Sequence, residues 1–101
     1  MNSTLFQILA VLSEEATDVT TAMDRLRAIL GPKHVPSLPA FYRHLRRSEE
    51  EGWVVIQGEV ETPGGLGRPR KIFGLTPAGR EALATEANSL EPFVVLAQGR
   101  N

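Results

Sequence analysis

Residues Trp53–Gly79 read WVVIQGEVETPGGLGRPRKIFGLTPAG. The first part, Trp53 to Glu61, is rich in β-branched and aromatic residues and alternates imperfectly. Val54, Ile56 and Val60 fall on one face, which predicts a strand. Lys71 to Leu75 predicts a second, with Phe73 and Leu75 on one face. The intervening TPGGLGRPR holds too much glycine and proline for regular structure, so it reads as a long hairpin loop. Thr76-Pro77 is an N-cap followed by proline at the first helical position, and a helix starts there. A glycine loop beside cations raises the question of phosphates. It is not a nucleotide cradle: position 70 is arginine where G-x-G-x-x-G needs glycine, there is no G-x-x-x-x-G-K-[ST], and the loop opens a strand instead of a helix. As a hairpin tip it makes sense. The glycines permit positive φ and close approach to a backbone, and Pro69 stiffens the return so that Arg68 and Arg70 point outward.

Upstream, the pattern is helical. Ser3 or Thr4 can cap a first helix to about Glu15, with Leu5, Ile8, Leu9 and Leu12 in one stripe. Asp18 caps a second, striped by Ala22, Met23, Leu26, Ile29 and Leu30 and ended by Gly31-Pro32. Ser37 caps a third, residues 38–51, stopping at Gly52. On it Leu38, Phe41, Tyr42 and Leu45 share a face, while Ala40, Arg43 and Arg47 lie opposite, flanked by Pro39 and His44. Downstream of Thr76, a seam of Leu83, Ala87, Leu90, Val94 and Ala97 repeats at 4-3-4-3. Pro92 is expected to kink or break that helix.

Helix, helix, helix, hairpin, helix is the order of a winged helix-turn-helix, mainly α with a small β-hairpin (α+β). The third helix is placed to enter a major groove, and the hairpin, with its tip at 62–71, is the wing. The expected division is a winged helix-turn-helix DNA-binding domain over residues 1–87 and a short apolar C-terminal segment over 88–101, a dimerisation element.

Bulk properties agree with a single domain of modest core. The net charge is −1, but the charges are segregated. Lys33, Arg43, Arg46 and Arg47 form one basic block and Arg68, Arg70 and Lys71 another, with Glu49–Glu51, Glu59 and Glu61 between. Two such patches suit a polyanion, because the local field matters more than the total; solvated surface charge is the plain alternative. With no cysteine there is no disulfide framework or thiolate metal site. His34 and His44 lack partners at ligand spacing, and no serine sits in a nucleophile elbow. The expectation is a non-enzyme without cofactor, soluble and cytoplasmic, with no secretory leader and no membrane span.

Two segments resemble the PadR family of bacterial transcriptional regulators: SLPAFYRHLRRSEEEGWV (37–54) and GRPRKIFGLTPAGREAL (67–83), with the strand between them. The family pattern has a small residue and a Leu-Tyr pair opening the recognition helix, a basic middle, an acidic run and glycine. It then has an Arg-Pro-Arg-Lys-aromatic strand leading into Leu-Thr-x-x-Gly. Ala40, Phe41-Tyr42, Arg43, Arg46-Arg47, Glu49–Gly52, Arg68–Lys71 and Leu75-Thr76 with Gly79 occupy those positions. The chain departs from the pattern at Ser48, where leucine is usual, and at Gly74, where a polar residue is common. It also lacks the usual glycine-containing junction between the first two helices, and its tail after Leu83 is short. The resemblance implies DNA binding as a homodimer through C-terminal helices, leaves room for a small-molecule effector, and suggests that the Tyr42 hydroxyl reaches DNA.

The resulting expectation is a sequence-specific DNA-binding regulator, a repressor, with double-stranded DNA as its partner. Arg43 and Arg47 are candidates for base edges, because arginine pairs bidentately with guanine. Arg46 is a candidate for phosphate, and Arg68, Arg70 and Lys71 of the wing are candidates for backbone phosphates or the minor groove. Ser37 caps the helix and can bond a phosphate. Leu83, Ala87, Leu90, Phe93, Val94 and Ala97 are candidates for the dimer contact, against fold-back onto the first helix. Trp53 reads as a packing residue, or more sharply as a ligand-stacking aromatic at a dimer interface. The alternative function is a winged-helix protein-interaction module, since fold does not decide function.

Overall fold

The computed structural model describes residues 1–65 and 67–99. Leu66 of the wing and residues 100–101 of the C-terminal segment lie outside the described residues. The elements are α1 (Ser3–Glu14), α2 (Val19–Leu30), α3 (Leu38–Glu50), β1 (Val54–Val60), β2 (Arg70–Leu75) and α4 (Pro77–Ala97), with one 3₁₀ turn at Pro63–Gly65 in the hairpin loop. This is a winged helix-turn-helix, in the predicted order.

Each helix starts where a short polar side chain satisfies an orphan backbone N–H. Asp18 Oδ1 accepts from the Thr21 N–H at 2.7 Å and Ser37 Oγ from Ala40 at 3.3 Å. Thr76 Oγ1 accepts from Gly79 at 3.0 Å and donates to the Gly52 carbonyl at 2.5 Å, tying the start of α4 to the end of α3. At α1 the expectation of Ser3 or Thr4 is corrected. Asn2 Oδ1 accepts from Leu5 at 2.8 Å and is the cap. The apolar stripe fits both starting points; only the hydrogen bond decides between them.

α1 lies at the centre, packed against α2, α3, α4 and β2. Its Leu5, Ile8, Leu9, Val11 and Leu12 are buried together with Ala22 and Leu26 of α2, Phe41 and Leu45 of α3, and Val54, Phe73 and Leu75 of the hairpin. Burial of each large aliphatic side chain contributes about 1.5–3 kcal/mol.

Four local expectations are revised. In α3 the buried residues are Phe41, Leu45 and Ser48, whereas Leu38 and Tyr42 are exposed. The buried face is therefore turned away from Leu38 and Tyr42 toward Ser48. Ser48 has no exposed surface, and its Oγ donates to the His44 carbonyl at 2.9 Å, so a hydroxyl occupies a core position without an unmet hydrogen bond. In α2, Ile29 is 69% exposed, because the apolar stripe is wider than the contact with α1. In the hairpin, Val54↔Leu75 and Ile56↔Phe73 are followed by Gly58↔Ile72 and Val60↔Arg70, so Gln57 forms a bulge. The alternation changes phase there, and Val60 leaves the face shared by Val54 and Ile56. Finally, of the kink or break expected at Pro92 the break is absent: α4 runs through it. Residues 87–99 are all exposed, so water can satisfy the carbonyl that proline leaves free.

Sequence periodicity also misses a contact. Thr17, in the link between α1 and α2, makes a two-bond bridge with Phe73: its N–H donates to the Phe73 carbonyl at 3.0 Å, and the Phe73 N–H donates back at 2.9 Å. One extended residue has no period to detect. The bridge nevertheless attaches the wing to the start of α2.

Candidate nucleic-acid interface

α3 carries the helical half of the basic surface. At 100° per residue, the direction opposite Phe41, Leu45 and Ser48 is occupied by Pro39, Arg43 and Glu50, with Arg46 and Arg47 on either side of it. Tyr42 lies toward the wing side, and Arg47 and His44 lie toward the start of α1. Arg43, Arg46, Arg47 and Tyr42 are exposed, whereas Ala40 and His44 are half-buried. Ala40 thus stands at the border of the packed face. Ser37 is exposed at the helix start, its Oγ engaged by the Ala40 N–H.

Two clefts flank α3. One, of about 610 Å³, lies between α3, the start of α1 and the half-buried Trp53, and is lined by Arg43, Arg46 and Arg47 among others. Here Arg47 Nε sits 3.4 Å from Glu51 Oε1 in an exposed i,i+4 pair. Such a pair contributes about 0.3–0.5 kcal/mol, so it restrains Arg47 only weakly. Burial, and then the positive Arg43 guanidinium, lower the His44 pKa below its ordinary 6.5. Trp53 packs at the edge of the core, and its backbone carbonyl accepts from the Thr76 N–H at 2.9 Å.

The other cleft, of about 340 Å³, lies between α3 and the wing and is lined by Thr20, Tyr42, Arg68, Arg70 and Lys71, among others. Arg68, Arg70 and Lys71 are exposed. Arg70 Nη1 lies 3.9 Å from Asp18 Oδ2, the same carboxylate that caps α2. Lys71 is paired across the hairpin with Glu59. The loop turns through Gly64, Gly65 and Gly67 at φ of 76°, 66° and 87°, a left-handed backbone that glycine adopts without cost. The wing cations thus share a cleft with Tyr42 of α3, while the α3 arginines line the cleft on the helix's other flank. The residues proposed for dimerisation lie apart from both on α4: Leu83 is half-buried against the core, while Ala87, Leu90, Phe93, Val94 and Ala97 are exposed.

Sequence reasoning did not single out Thr20 or Asp18 as parts of this surface. Asp18 was legible only as a cap, and Thr20 follows it; their proximity to the wing depends on the Thr17–Phe73 bridge. Among the described residues, no group of three or more His, Cys, Asp or Glu is placed to hold a metal ion, and no helix is long and apolar enough to cross a membrane.

The family model for the transcriptional regulator PadR-like family matches residues 8–85. The chain belongs to the PadR-like family of transcriptional regulators. No curated protein matches it. Solved structures of PadR-like proteins share its fold. A PadR family transcription regulator from Clostridium difficile R20291 aligns with a TM-score of 0.77 at 14% identity, covering 97% of each chain. A PadR-like transcription factor from Bacteroides fragilis aligns at 0.75 and 19% identity, over 94% of this chain and 86% of that one. Bacillus subtilis PadR, solved in complex with operator DNA, aligns at 0.70 and 20% identity, over 86% of this chain and 48% of that one. The match of 8–85 takes in the helix-turn-helix, the wing and the first part of α4 of this PadR-like regulator.

Proposed function

We propose that this PadR-like chain is a sequence-specific DNA-binding repressor that acts as a homodimer. The observation that carries the reading is the convergence of exposed cations from two elements, Arg43 and Arg46 on α3 and Arg68 and Lys71 on the wing, on the sides of one helix. That helix has the size to enter a major groove, while wing cations meet backbone or minor groove. The complex of Bacillus subtilis PadR with operator DNA supports the same use of the fold. Arg43 and Arg47 read base edges, and Ser37, Tyr42, Arg46, Arg68 and Lys71 contact phosphate. The small Ala40 lets the helix approach closely. Residues 1–87 form the DNA-binding unit. The apolar side chains of 88–99 pair two copies, which places two recognition helices about 34–36 Å apart on a palindromic site.

Selection of bound duplexes from a random pool tests this. The expected product is a palindrome. Arg43→Ala or Arg47→Ala should then relax preference at one base position by about 1–3 kcal/mol, and Arg68→Ala should weaken all sequences alike. If the chain retains no duplex even at low salt, the DNA reading fails and a protein-interaction module takes its place.

A further inference from the structure

We propose that the cleft between the wing and α3 clamps a single DNA backbone phosphate through Arg68 and Lys71, and that Arg70, on the same cleft, instead pairs with Asp18 and braces the wing. The proposal rests on the DNA-binding reading above and assigns the wing cations two different jobs.

Three elements supply the clamp. Thr20 comes from the start of α2, Tyr42 from α3, and Arg68 and Lys71 from the wing, around a volume of about 340 Å³. Together they offer two cationic donor groups and two hydroxyls, the donor set that a phosphodiester oxyanion accepts. Among the described residues, no carboxylate pairs with Arg68 or Lys71 within 4.0 Å. Asp18 is the one carboxylate among the cleft's lining residues, and its basic partner is Arg70; Glu59, opposite Lys71 on the hairpin, does not line the cleft. Both cations are exposed and free to turn toward an anion.

Arg70 differs. Its Nη1 lies 3.9 Å from Asp18 Oδ2; the Asp18 side chain is 14% exposed and that of Arg70 47%, so the pair is shielded from solvent on the carboxylate side only. The other Asp18 oxygen is occupied by the Thr21 N–H at 2.7 Å, which fixes the carboxylate on α2. The adjacent Thr17 holds Phe73 through bonds of 3.0 and 2.9 Å. Thus two consecutive residues meet β2 at positions 70 and 73, Thr17 through a pair of backbone hydrogen bonds and Asp18 through a charge contact. Because Asp18 and Arg70 line the same cleft, the pair adds no net charge for the phosphate. The positive field comes from Arg68 and Lys71.

The experiment follows the affinity of the full chain for a fluorescein-labelled random-sequence duplex between about 50 and 200 mM salt, a range over which each phosphate contact contributes about 0.9 to the slope of log K against log salt. Arg68→Ala and Lys71→Ala should each lower the slope by about 0.9. Arg70→Ala should weaken binding and leave the slope unchanged. Asp18→Asn keeps a good N-cap, so α2 should persist by circular dichroism. With Arg70 released, its slope should steepen, and Asp18→Asn/Arg70→Ala should return it to the wild-type value. Tyr42→Phe should weaken binding about threefold to tenfold, as loss of one hydrogen bond does, with no change in slope. An Arg70→Ala slope that falls as far as that of Arg68→Ala overturns the brace. Unchanged slopes in both Arg68→Ala and Lys71→Ala, with duplex binding intact, overturn the clamp alone. Absence of duplex binding by the wild-type chain removes the DNA reading and the clamp together.

Discussion

Gly79 and Gly74 are both buried, but for opposite reasons. A methyl group at position 79 would land on the backbone carbonyl of Trp53, where α4 passes over the turn from α3 into β1. Backbone there cannot move without breaking the bonds from Thr76 to the Trp53 and Gly52 carbonyls. A methyl at position 74 would meet the amide end of Gln57, the bulge residue, whose flexible side chain can move, and would sit 3.1 Å from the Ala16 methyl, which has only tenths of an ångström to give. Gly79→Ala should therefore cost about 1–3 kcal/mol, and Gly74→Ala clearly less, as denaturant melts of the two variants would read. His44 supplies a pH dependence. Its folded-state pKa lies below 6.5, so the unfolded chain takes up the proton more readily than the folded one. Stability should fall as pH drops through the window from 6.5 down to the folded-state value and level off below it. His44→Asn should flatten that part of the profile in thermal unfolding followed against pH.

At the scale of elements, α3 and α4 teach different lessons. In α3 the apolar pattern showed a helix with a basic side but misplaced the packed face. Leu38 and Tyr42 are apolar enough to be read as core, yet Ser48 is buried instead. A serine whose hydroxyl donates a hydrogen bond back to the His44 carbonyl behaves as a small core residue, and no hydropathy pattern reveals it. In α4 the periodic seam was legible, but not its surroundings: Phe93 is 67% and Leu96 69% exposed on the single chain. Isolated apolar residues on a surface are ordinary, whereas a contiguous run at a helix end calls for a covering surface. The dimerisation proposal accordingly predicts a dimer for the full chain by light scattering and a monomer for a chain truncated after Ala87. A monomeric full-length chain would remove it.

For the whole molecule, the net charge of −1 conceals a surface on which cations gather around α3 and the wing. The sequence alone determined the element order, three of the four helix caps and the placement of nearly all candidate DNA contacts on two elements. These are local matters: cap chemistry, proline and glycine punctuation, and periods of 2 and 3.6 act over a few residues. Tertiary structure alone decided which side of α3 is buried, that Trp53 meets the start of α4, and that Thr17 and Asp18 tie the wing to α2 through Phe73 and Arg70. The last connects residues more than fifty positions apart through one extended residue and one charge. Such contacts carry no local pattern, because they arise only when the packed core brings the two segments together.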